Sequence, residues 1–389
     1  MRILHCVEFY YPSVGGAQEV VRQISERLVQ QGHQVTVATS TNANRTDYVH
    51  HGVSIVEFSV SGNQANGLHG EVERYQEFVR NGSFDVIMIY AAQQWTLDSL
   101  IPVLPSISTP LVLVPCGFSG LNNPAYQKYF LSMPSWLIYF RKLVFLSESY
   151  QDIKFVREHG YMNTVLIPNG ADEHEFNDPP QDFRKKYGLN DEFLLLTVGG
   201  HTGIKGHAFA MRAFTKARIK DATLLIIGNT PVGGGCKRNC TILANVYNFH
   251  PRNMLKHKRI VILDPPRHDV VSAFSMSNLF ILPSNIEASP LVLYESMAAK
   301  LPFISFDVGN TREIVDWSNG GIIAKTRKRA DGFAFGDLAD CTRLIELLYR
   351  DPDGRRQLGL SGHAAWERSF TFERLASKYE QLYHEILAT

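Results

Sequence analysis

The chain of 389 residues is too long for one ordinary hydrophobic core, which predicts two domains. A hydrophobic content of 44% and a charged content of 20% exclude an intrinsically disordered chain. The formal net charge of +1 provides no overall attraction to nucleic acid, so we expect no nucleic-acid partner. No stretch reaches the roughly 18 apolar residues that a membrane span requires, so we expect a cytoplasmic or peripheral protein.

The cysteine count points to a reducing compartment. There are five cysteines, an odd number scattered along the chain, and this pattern does not suit a disulfide framework. Cys236 and Cys240 form a C-x3-C pair, but no second Cys or His pair follows with the spacing of a zinc site. We therefore predict no metal site.

The first 168 residues alternate between strand-like and helical patterns. Ala17–Gln31 carries apolar residues at the spacing of an amphipathic helix. The predicted strands of this half are Arg2–Phe9, Gln34–Thr39, Val53–Phe58, Phe84–Tyr90, Leu111–Pro115 and Leu143–Leu146. Strands alternating with helices predict a parallel sheet covered on both faces. We predict a first α/β domain over residues 1–168.

A second α/β domain is predicted over residues 187–370, after a polar linker at 169–186 that offers few core residues. Its predicted strands are Phe193–Val198, Ala222–Ile227, Arg259–Leu263, Leu279–Leu282, Phe303–Phe306 and Gly321–Ala324. The end of the chain is predicted to be helical, with breaks near residues 351–353 and 369–371. We expect the last helix, within 371–389, to pack back on the first domain.

The segment Asn285–Leu301 carries the clearest chemical signal. Ser289 suits a helix N-cap, and Pro290 suits the first helical position. The N–H groups of Leu291 and Val292 would then be free to bind an anion. Two carboxylates, Glu287 and Glu295, bracket this predicted phosphate pocket.

Two glycine-containing loops follow predicted strands and could face the same ligand. Gly15 and Gly16 open a helix after the first strand, where they form either a plain turn or a close backbone approach to a ligand. Lys205 lies between glycines in Gly199–Gly206, which favours a diphosphate-neutralising lysine over a solvated one. Neither loop matches a P-loop or the dinucleotide fingerprint, which weakens an oxidoreductase interpretation.

Two further features could have either a functional or a purely structural role. Aromatic residues are frequent in residues 126–142, beside several lysines and arginines, and could contact a membrane or an acceptor. Core packing is the better explanation for this segment. Asp351-Pro-Asp353 lies between two predicted helices, where a cap and turn role is favoured over metal binding.

These segments resemble family 4 retaining glycosyltransferases of the GT-B fold, and the resemblance covers nearly the whole chain. The matching pieces are FYYPSVGGAQE, IPNGAD, the Gly199–Gly206 loop, LPSNIEASPLVLYESMAAKLP and DVGNTREIV. The pair Glu287-x7-Glu295 within ASPLVLYE is the most specific of them. The resemblance implies an α/β GT-B fold, with two doubly wound Rossmann-like domains facing an interdomain cleft.

The resemblance also implies roles for individual residues. Lys205 and Glu287 would be catalytic, with Lys205 on the donor diphosphate and Glu287 on the transferred sugar. The other implied donor-binding residues are Gly15, Gly16, Gly200, His201, Ser289, Pro290, Leu291, Val292 and Glu295, the last of them on the ribose. The reaction would retain configuration without a metal or other cofactor, and the departing phosphate oxygen would accept the acceptor's proton.

The expected donor is a nucleoside-diphosphate sugar, with UDP as the prior choice. The expected acceptor is a hydroxyl on a glycan or lipid-linked substrate, in surface polysaccharide, glycolipid or glycoconjugate synthesis. Two positions depart from the family pattern. Gly200 stands where the family often has an arginine, for which His201 or Arg267 could compensate, and Cys116 stands where it usually has a histidine. These departures keep open an alternative: a GT-B module that binds nucleotide or glycan without turnover.

Overall fold

The computed structural model describes residues 1–177, 179, 182–190, 192–230 and 235–388. The chain forms two compact units, one of Met1–Asn169 with Phe372–Thr389 and one of Gly170–Thr371. Each unit is an α/β structure built around a largely parallel sheet. The last segment of the chain therefore belongs to the first unit.

The first unit contains ten strands and six α-helices among its described residues. The strands are β1 (Arg2–Cys6), β2 (Gln34–Ser40), β3 (Val49–His50), β4 (Val53–Phe58), β5 (Val60–Asn63), β6 (Gly67–Gly70), β7 (Val86–Tyr90), β8 (Leu111–Val114), β9 (Phe140–Phe145) and β10 (Thr164–Leu166). The helices are α1 (Gly16–Gln30), α2 (Val72–Asn81), α3 (Trp95–Asp98), α4 (Gln127–Leu137), α5 (Gln151–Glu158) and the final helix α16 (Phe372–Leu387).

The main sheet of the first unit has the order β10-β9-β8-β7-β1-β2-β4-β3. All of its pairings are parallel except β3–β4. The central strand β1 is buried on both faces, as expected of a parallel strand between helical layers. The strands β5 and β6 form a separate antiparallel hairpin.

Helix α16 packs against α1, and its apolar residues are mostly buried. His5 on β1 is fully buried, with Nδ1 2.8 Å from the hydroxyl of Ser25 and Nε2 3.1 Å from that of Tyr383 on α16. Burial lowers the pKa of His5 to about 3. At the rim, Glu380 lies 2.8 Å from His33 Nε2.

The second unit contains eight strands and ten α-helices among its described residues. The strands are β11 (Phe193–Val198), β12 (Ala222–Ile227), β13 (Lys258–Leu263), β14 (Leu279–Leu282), β15 (Phe303–Ser305), β16 (Gly321–Ile323), β17 (Thr326–Lys328) and β18 (Ala334–Gly336). The helices are α6 (Glu173–Asn177), α7 (Phe183–Lys186), α8 (His207–Lys216), α9 (Lys237–Asn248), α10 (Pro251–Leu255), α11 (Arg267–Met276), α12 (Leu291–Ala298), α13 (Thr311–Ser318), α14 (Leu338–Arg350) and α15 (Pro352–Ser369).

The six-stranded sheet of the second unit is entirely parallel, in the order β13-β12-β11-β14-β15-β16. Alternate residues of each strand enter two different apolar clusters. On β11, for example, Leu195 packs in one cluster, while Leu194 and Leu196 pack in the other. The strand order reverses between β11 and β14, and the carboxyl ends at such a reversal are the usual ligand position in doubly wound folds.

The predicted linker at 169–186 differs from the structure. Residues from Gly170 onward belong to the second unit, and Phe176 and Phe183 are buried in one of its apolar clusters. The short helices α6 and α7 turn these two rings inward, although the segment is mostly polar. Asp178, Pro180 and Gln181 lie outside the described residues.

Candidate donor site

Two loops at the strand-order reversal carry most of the predicted site residues. The first, Gly199–Gly206, joins β11 to α8, and the second, residues 283–290, joins β14 to α12. The backbone N–H of Asn285 donates to the carbonyl of Ile204 at 2.8 Å. Gly206 has φ +71°, and a Cβ there would lie 2.0 Å from the carbonyl oxygen of Pro283. The two loops are thus held against each other through their backbones.

The two predicted catalytic side chains meet between these loops. The Lys205 Nζ donates to Glu287 Oε1 at 2.7 Å. The side chains are 28% and 12% exposed, respectively, so the pair is partly desolvated but still open on one side. An ammonium group in this position can turn toward an arriving anion, and the carboxylate can then accept hydrogen bonds from hydroxyl groups.

The backbone next to Glu287 is fixed by a loop that the sequence motif alone did not connect to it. The N–H of Asn310 donates to the Ala288 carbonyl at 2.9 Å, and its side-chain amide lies 3.1 Å from the Ser289 hydroxyl. Gly309 has φ +57°, and a Cβ there would lie 2.4 Å from the Ala288 carbonyl oxygen. The segment DVGNTREIV therefore shapes the donor loop.

Helix α12 begins later than predicted. Its N-cap is Pro290, its first residue is Leu291, and no side chain caps it. Ser289 is therefore not the N-cap, because its hydroxyl contacts Asn310 instead. The N–H groups of Leu291 and Val292 still lie in the first helical turn, where no intrahelical carbonyl is available to them.

Glu295 is paired with an arginine that lies on another helix. Arg267 Nη2 lies 2.6 Å from Glu295 Oε1 and 2.6 Å from Glu175 Oε2. Burial acts to lower the pKa of Arg267, but the two carboxylates outweigh it and raise that pKa above its ordinary value. The guanidinium holds Glu295 in place. Arg267 is therefore engaged by two carboxylates, unlike the unpaired arginine that would be needed to compensate for Gly200.

Gly200 and His201, two predicted donor-binding residues, lie in the loop between β11 and α8. A Cβ on Gly200 would lie 2.9 Å from Asn229 Oδ1. The ring of His201 is fully buried and has Nδ1 3.6 Å from Cys236 Sγ. The ring of His201 is therefore directed into the second unit, and any contact of this residue with a donor would be through its backbone.

Gly15, Gly16 and Cys116 lie in the first unit. Gly15 is the N-cap of α1, with extended torsions (φ 176°) that any residue can adopt, and Gly16 is the first residue of that helix. Close approach of a ligand thus remains the predicted reason for these glycines. Cys116 follows β8 with φ +58°, and burial raises its pKa to about 12. A thiol with this pKa stays neutral near pH 7.

Residues 126–142 mostly pack inward, as the sequence favoured. Tyr129, Phe130, Trp136 and Phe140 are buried in the apolar cluster of the first unit. Leu131 and Ile138 are 75% and 65% exposed, respectively. Within the part of the chain that the structure describes, no helix has both the length and the apolar character to cross a bilayer.

Asp351 caps α15 by accepting from the Gly354 N–H at 2.8 Å, which confirms its predicted cap role.

Comparisons with known proteins agree with this architecture. A family model described as "Glycosyl transferase 4-like domain" matches residues 15–170, and one described as "Glycosyl transferases group 1" matches residues 180–336. The chain is 24% identical over 406 aligned residues to N-acetyl-alpha-D-glucosaminyl L-malate synthase of Bacillus anthracis, covering 97% of this chain and 96% of the relative.

Solved structures show the same fold at low sequence identity. Sucrose-phosphate synthase of Thermosynechococcus elongatus superposes with a TM-score of 0.81 at 20% identity, covering 100% of this chain and 99% of that one. Anabaena HepE in complex with UDP gives 0.76 at 14% identity, covering 99% and 100%. The two family models and the structural similarities all point to the same family. The chain therefore belongs to the family 4, group 1 glycosyltransferases with the GT-B fold.

Proposed function

We propose that the chain is a retaining glycosyltransferase that moves a sugar from a nucleoside diphosphate to a hydroxyl acceptor. The observation that carries the proposal is the Lys205–Glu287 pair beside the first turn of α12. This arrangement places one lysine ammonium, the first backbone N–H groups of a helix and one carboxylate at the carboxyl ends of two parallel strands. Such a set suits a diphosphate joined to a sugar.

In the proposed mechanism, Lys205 leaves Glu287 and pairs with the donor diphosphate. The N–H groups of Leu291 and Val292 share the same negative charge, which grows as the sugar–phosphate bond breaks. Glu287 then accepts hydrogen bonds from the sugar, and Glu295, held by Arg267, accepts those of the ribose.

Retention follows a front-face route in this proposal. The departing phosphate oxygen accepts the acceptor's hydroxyl proton, and the acceptor oxygen forms the new bond to the anomeric carbon on the face that the phosphate leaves. No nucleophile from the chain is needed. Lys205 and the helix amides carry the positive charge that stabilises the leaving group, so the proposed reaction uses no catalytic metal and no cofactor.

The donor and acceptor classes are proposed from the relatives. UDP is the first nucleotide to test, because the structural neighbour HepE is solved with UDP and with UDP-glucose. A glycan or lipid-linked acceptor in surface polysaccharide or glycoconjugate synthesis is proposed, and an O-antigen biosynthesis glycosyltransferase of Escherichia coli is among the relatives. We place the enzyme in the cytoplasm, with exposed Leu131 and Ile138 as a membrane contact.

Binding and turnover are tested separately. In a thermal-shift panel of nucleoside diphosphates and nucleotide sugars, one base should raise the melting temperature selectively, because ligand at 100 times Kd stabilises by about 2.7 kcal/mol. The stabilising sugar nucleotide should then release its nucleotide in the presence of acceptor. Selective binding with no hydrolysis or transfer would favour the non-catalytic module, and no binding at all would contradict both.

A further inference from the structure

Four potential metal ligands converge within the second unit, and none of them belongs to the Lys205–Glu287 pair. They are His201, His207, Cys236 and Cys240, and the four candidate ligand atoms all lie within 4.8 Å of one another. His201 lies in the loop between β11 and α8, and His207 is the first residue of α8. Cys236 is the N-cap of α9, and Cys240 lies in the first turn of that helix. The sequence prediction considered only a second pair that follows the cysteines, whereas the histidine pair precedes them.

The distances fit a tetrahedral zinc ion. The two sulfur atoms are 3.5 Å apart, and Cys236 Sγ is 3.6 Å from His201 Nδ1. Zinc bonds of about 2.3 Å to sulfur and about 2.05 Å to nitrogen would place sulfur pairs about 3.8 Å apart and sulfur–nitrogen pairs about 3.6 Å apart. A disulfide would need the two sulfur atoms at about 2.05 Å.

Three of the four ring nitrogens of the two histidines make no hydrogen bond of good geometry among the described residues, although the backbone of Gly199 lies near the His207 ring. They are both nitrogens of His207 and Nε2 of His201. The two histidines are at most 2% exposed, and Cys240 is 4% exposed. Buried polar atoms without partners are costly, and a bound metal ion would satisfy at least one nitrogen of each ring.

The spacing and the donor types also suit zinc. The pairs are His-x5-His and Cys-x3-Cys, both within the usual range of structural zinc sites. Two imidazoles and two thiolates form a donor set that zinc prefers over harder cations such as magnesium. A groove of about 590 Å³ is lined by His207, Cys236 and Cys240, among other residues, and gives an ion a way in.

We propose that His201, His207, Cys236 and Cys240 form a structural zinc site. All four positions are protein side chains, so the ion has no open position for substrate and its role is to join two elements. The zinc ion joins the loop that carries Lys205 to the start of α9. The Cys236 N–H also donates to the His201 carbonyl there, at 2.9 Å. The inference does not depend on the proposed glycosyl transfer.

Metal content tests the site directly. Protein purified in reductant should contain about one zinc per chain, and cobalt added to the metal-free chain should give tetrahedral d–d absorption with a thiolate-to-cobalt charge-transfer band. The Cys236→Ser/Cys240→Ser variant should lose both the zinc and that band. The matched control, Cys341→Ser, replaces a buried cysteine on α14 of the same unit and should keep them.

Chelation should lower the melting temperature of the wild-type chain by roughly 5–10 °C, and zinc should restore it. A reduced wild-type chain with no zinc and no cobalt charge-transfer band would overturn the proposal, as would full zinc content in the double variant. If the double variant does not fold, the cobalt spectrum of the wild-type chain decides. Because zinc content and cobalt absorption do not require turnover, they separate this site from the proposed reaction.

Discussion

Lys205 Nζ lies 2.7 Å from Glu287 Oε1, so the charges of the two predicted catalytic residues neutralise each other. Arrival of a diphosphate would replace one carboxylate partner of the lysine with another anion. In the proposed mechanism, the ion pair therefore holds the lysine at the site until the diphosphate displaces the carboxylate.

Replacing Lys205 by alanine should lower kcat/KM by about 10²–10³, since a cation that stabilises the leaving group acts mainly in the transition state. Glu287→Ala should give a loss of similar size. Steady-state kinetics with the identified donor measure both changes. The matched controls Lys220→Ala and Glu73→Ala alter exposed residues and should keep wild-type kinetics. Wild-type turnover in both site variants would refute the assignment.

Arg267→Ala should raise the donor KM about tenfold and change kcat little, because it frees Glu295 from its guanidinium partner and disturbs ground-state ribose binding. Initial rates over a range of donor concentrations separate the two parameters. The exposed Arg356 provides the matched control, Arg356→Ala, on the same unit. A fall in kcat at unchanged KM would instead place Arg267 in the chemical step.

Gly206→Ala should destabilise the chain by roughly 2–4 kcal/mol, combining left-handed strain with a collision against the Pro283 carbonyl. The control is Gly203→Ala, whose φ is +86° but whose Cβ would meet no atom within 4 Å, so only the strain of about 1 kcal/mol is expected. Urea unfolding at one pH measures both. Equal losses would mean that the contact with Pro283 does not hold the two loops together.

His5 should make the first unit acid-sensitive. The pKa of His5 is about 3 in the folded chain, against 6.5 for an unperturbed histidine. The contribution of this group to the free energy of unfolding is therefore complete above pH 6.5 and is lost as the pH falls toward 3. At pH 5, protonation of His5 in the unfolded chain should lower the free energy of unfolding by about 2 kcal/mol. In His5→Gln, which still offers a donor and an acceptor, the stability difference from wild type should shrink by this amount between pH 7.5 and pH 5.

Urea unfolding across that range gives the pH dependence for each protein. His69→Gln, at an exposed position of the same unit, should follow the wild-type curve. If His5→Gln kept the full wild-type dependence below pH 6.5, another group would be responsible.

The fold could be predicted where local sequence determines structure. The strands Phe193–Val198, Ala222–Ile227 and Leu279–Leu282 have the predicted bounds, because parallel strands buried on both faces appear as continuous apolar runs. The hairpin of Val60–Asn63 and Gly67–Gly70 was not predicted. It is short, mostly polar and exposed, so no apolar periodicity marks it.

The site was harder to predict where contacts join distant loops. The pair Glu287 and Lys205 could be placed near one ligand because both follow strands of one sheet. The start of α12 was misplaced because Ser289 contacts Asn310, which is 21 residues further along the chain. The pairing of Arg267 with Glu295 likewise depends on two helices becoming neighbours, and no local pattern reports that.

The membership of α16 in the first unit has a consequence for how this chain is made. The first unit is discontinuous in sequence, because the whole second unit, Gly170–Thr371, lies between Asn169 and α16. On the ribosome, every residue of the second unit is therefore translated before α16. A nascent chain lacks the α16 partner of α1 for that whole interval, so the first unit can acquire its full native packing only after the second unit has been synthesised.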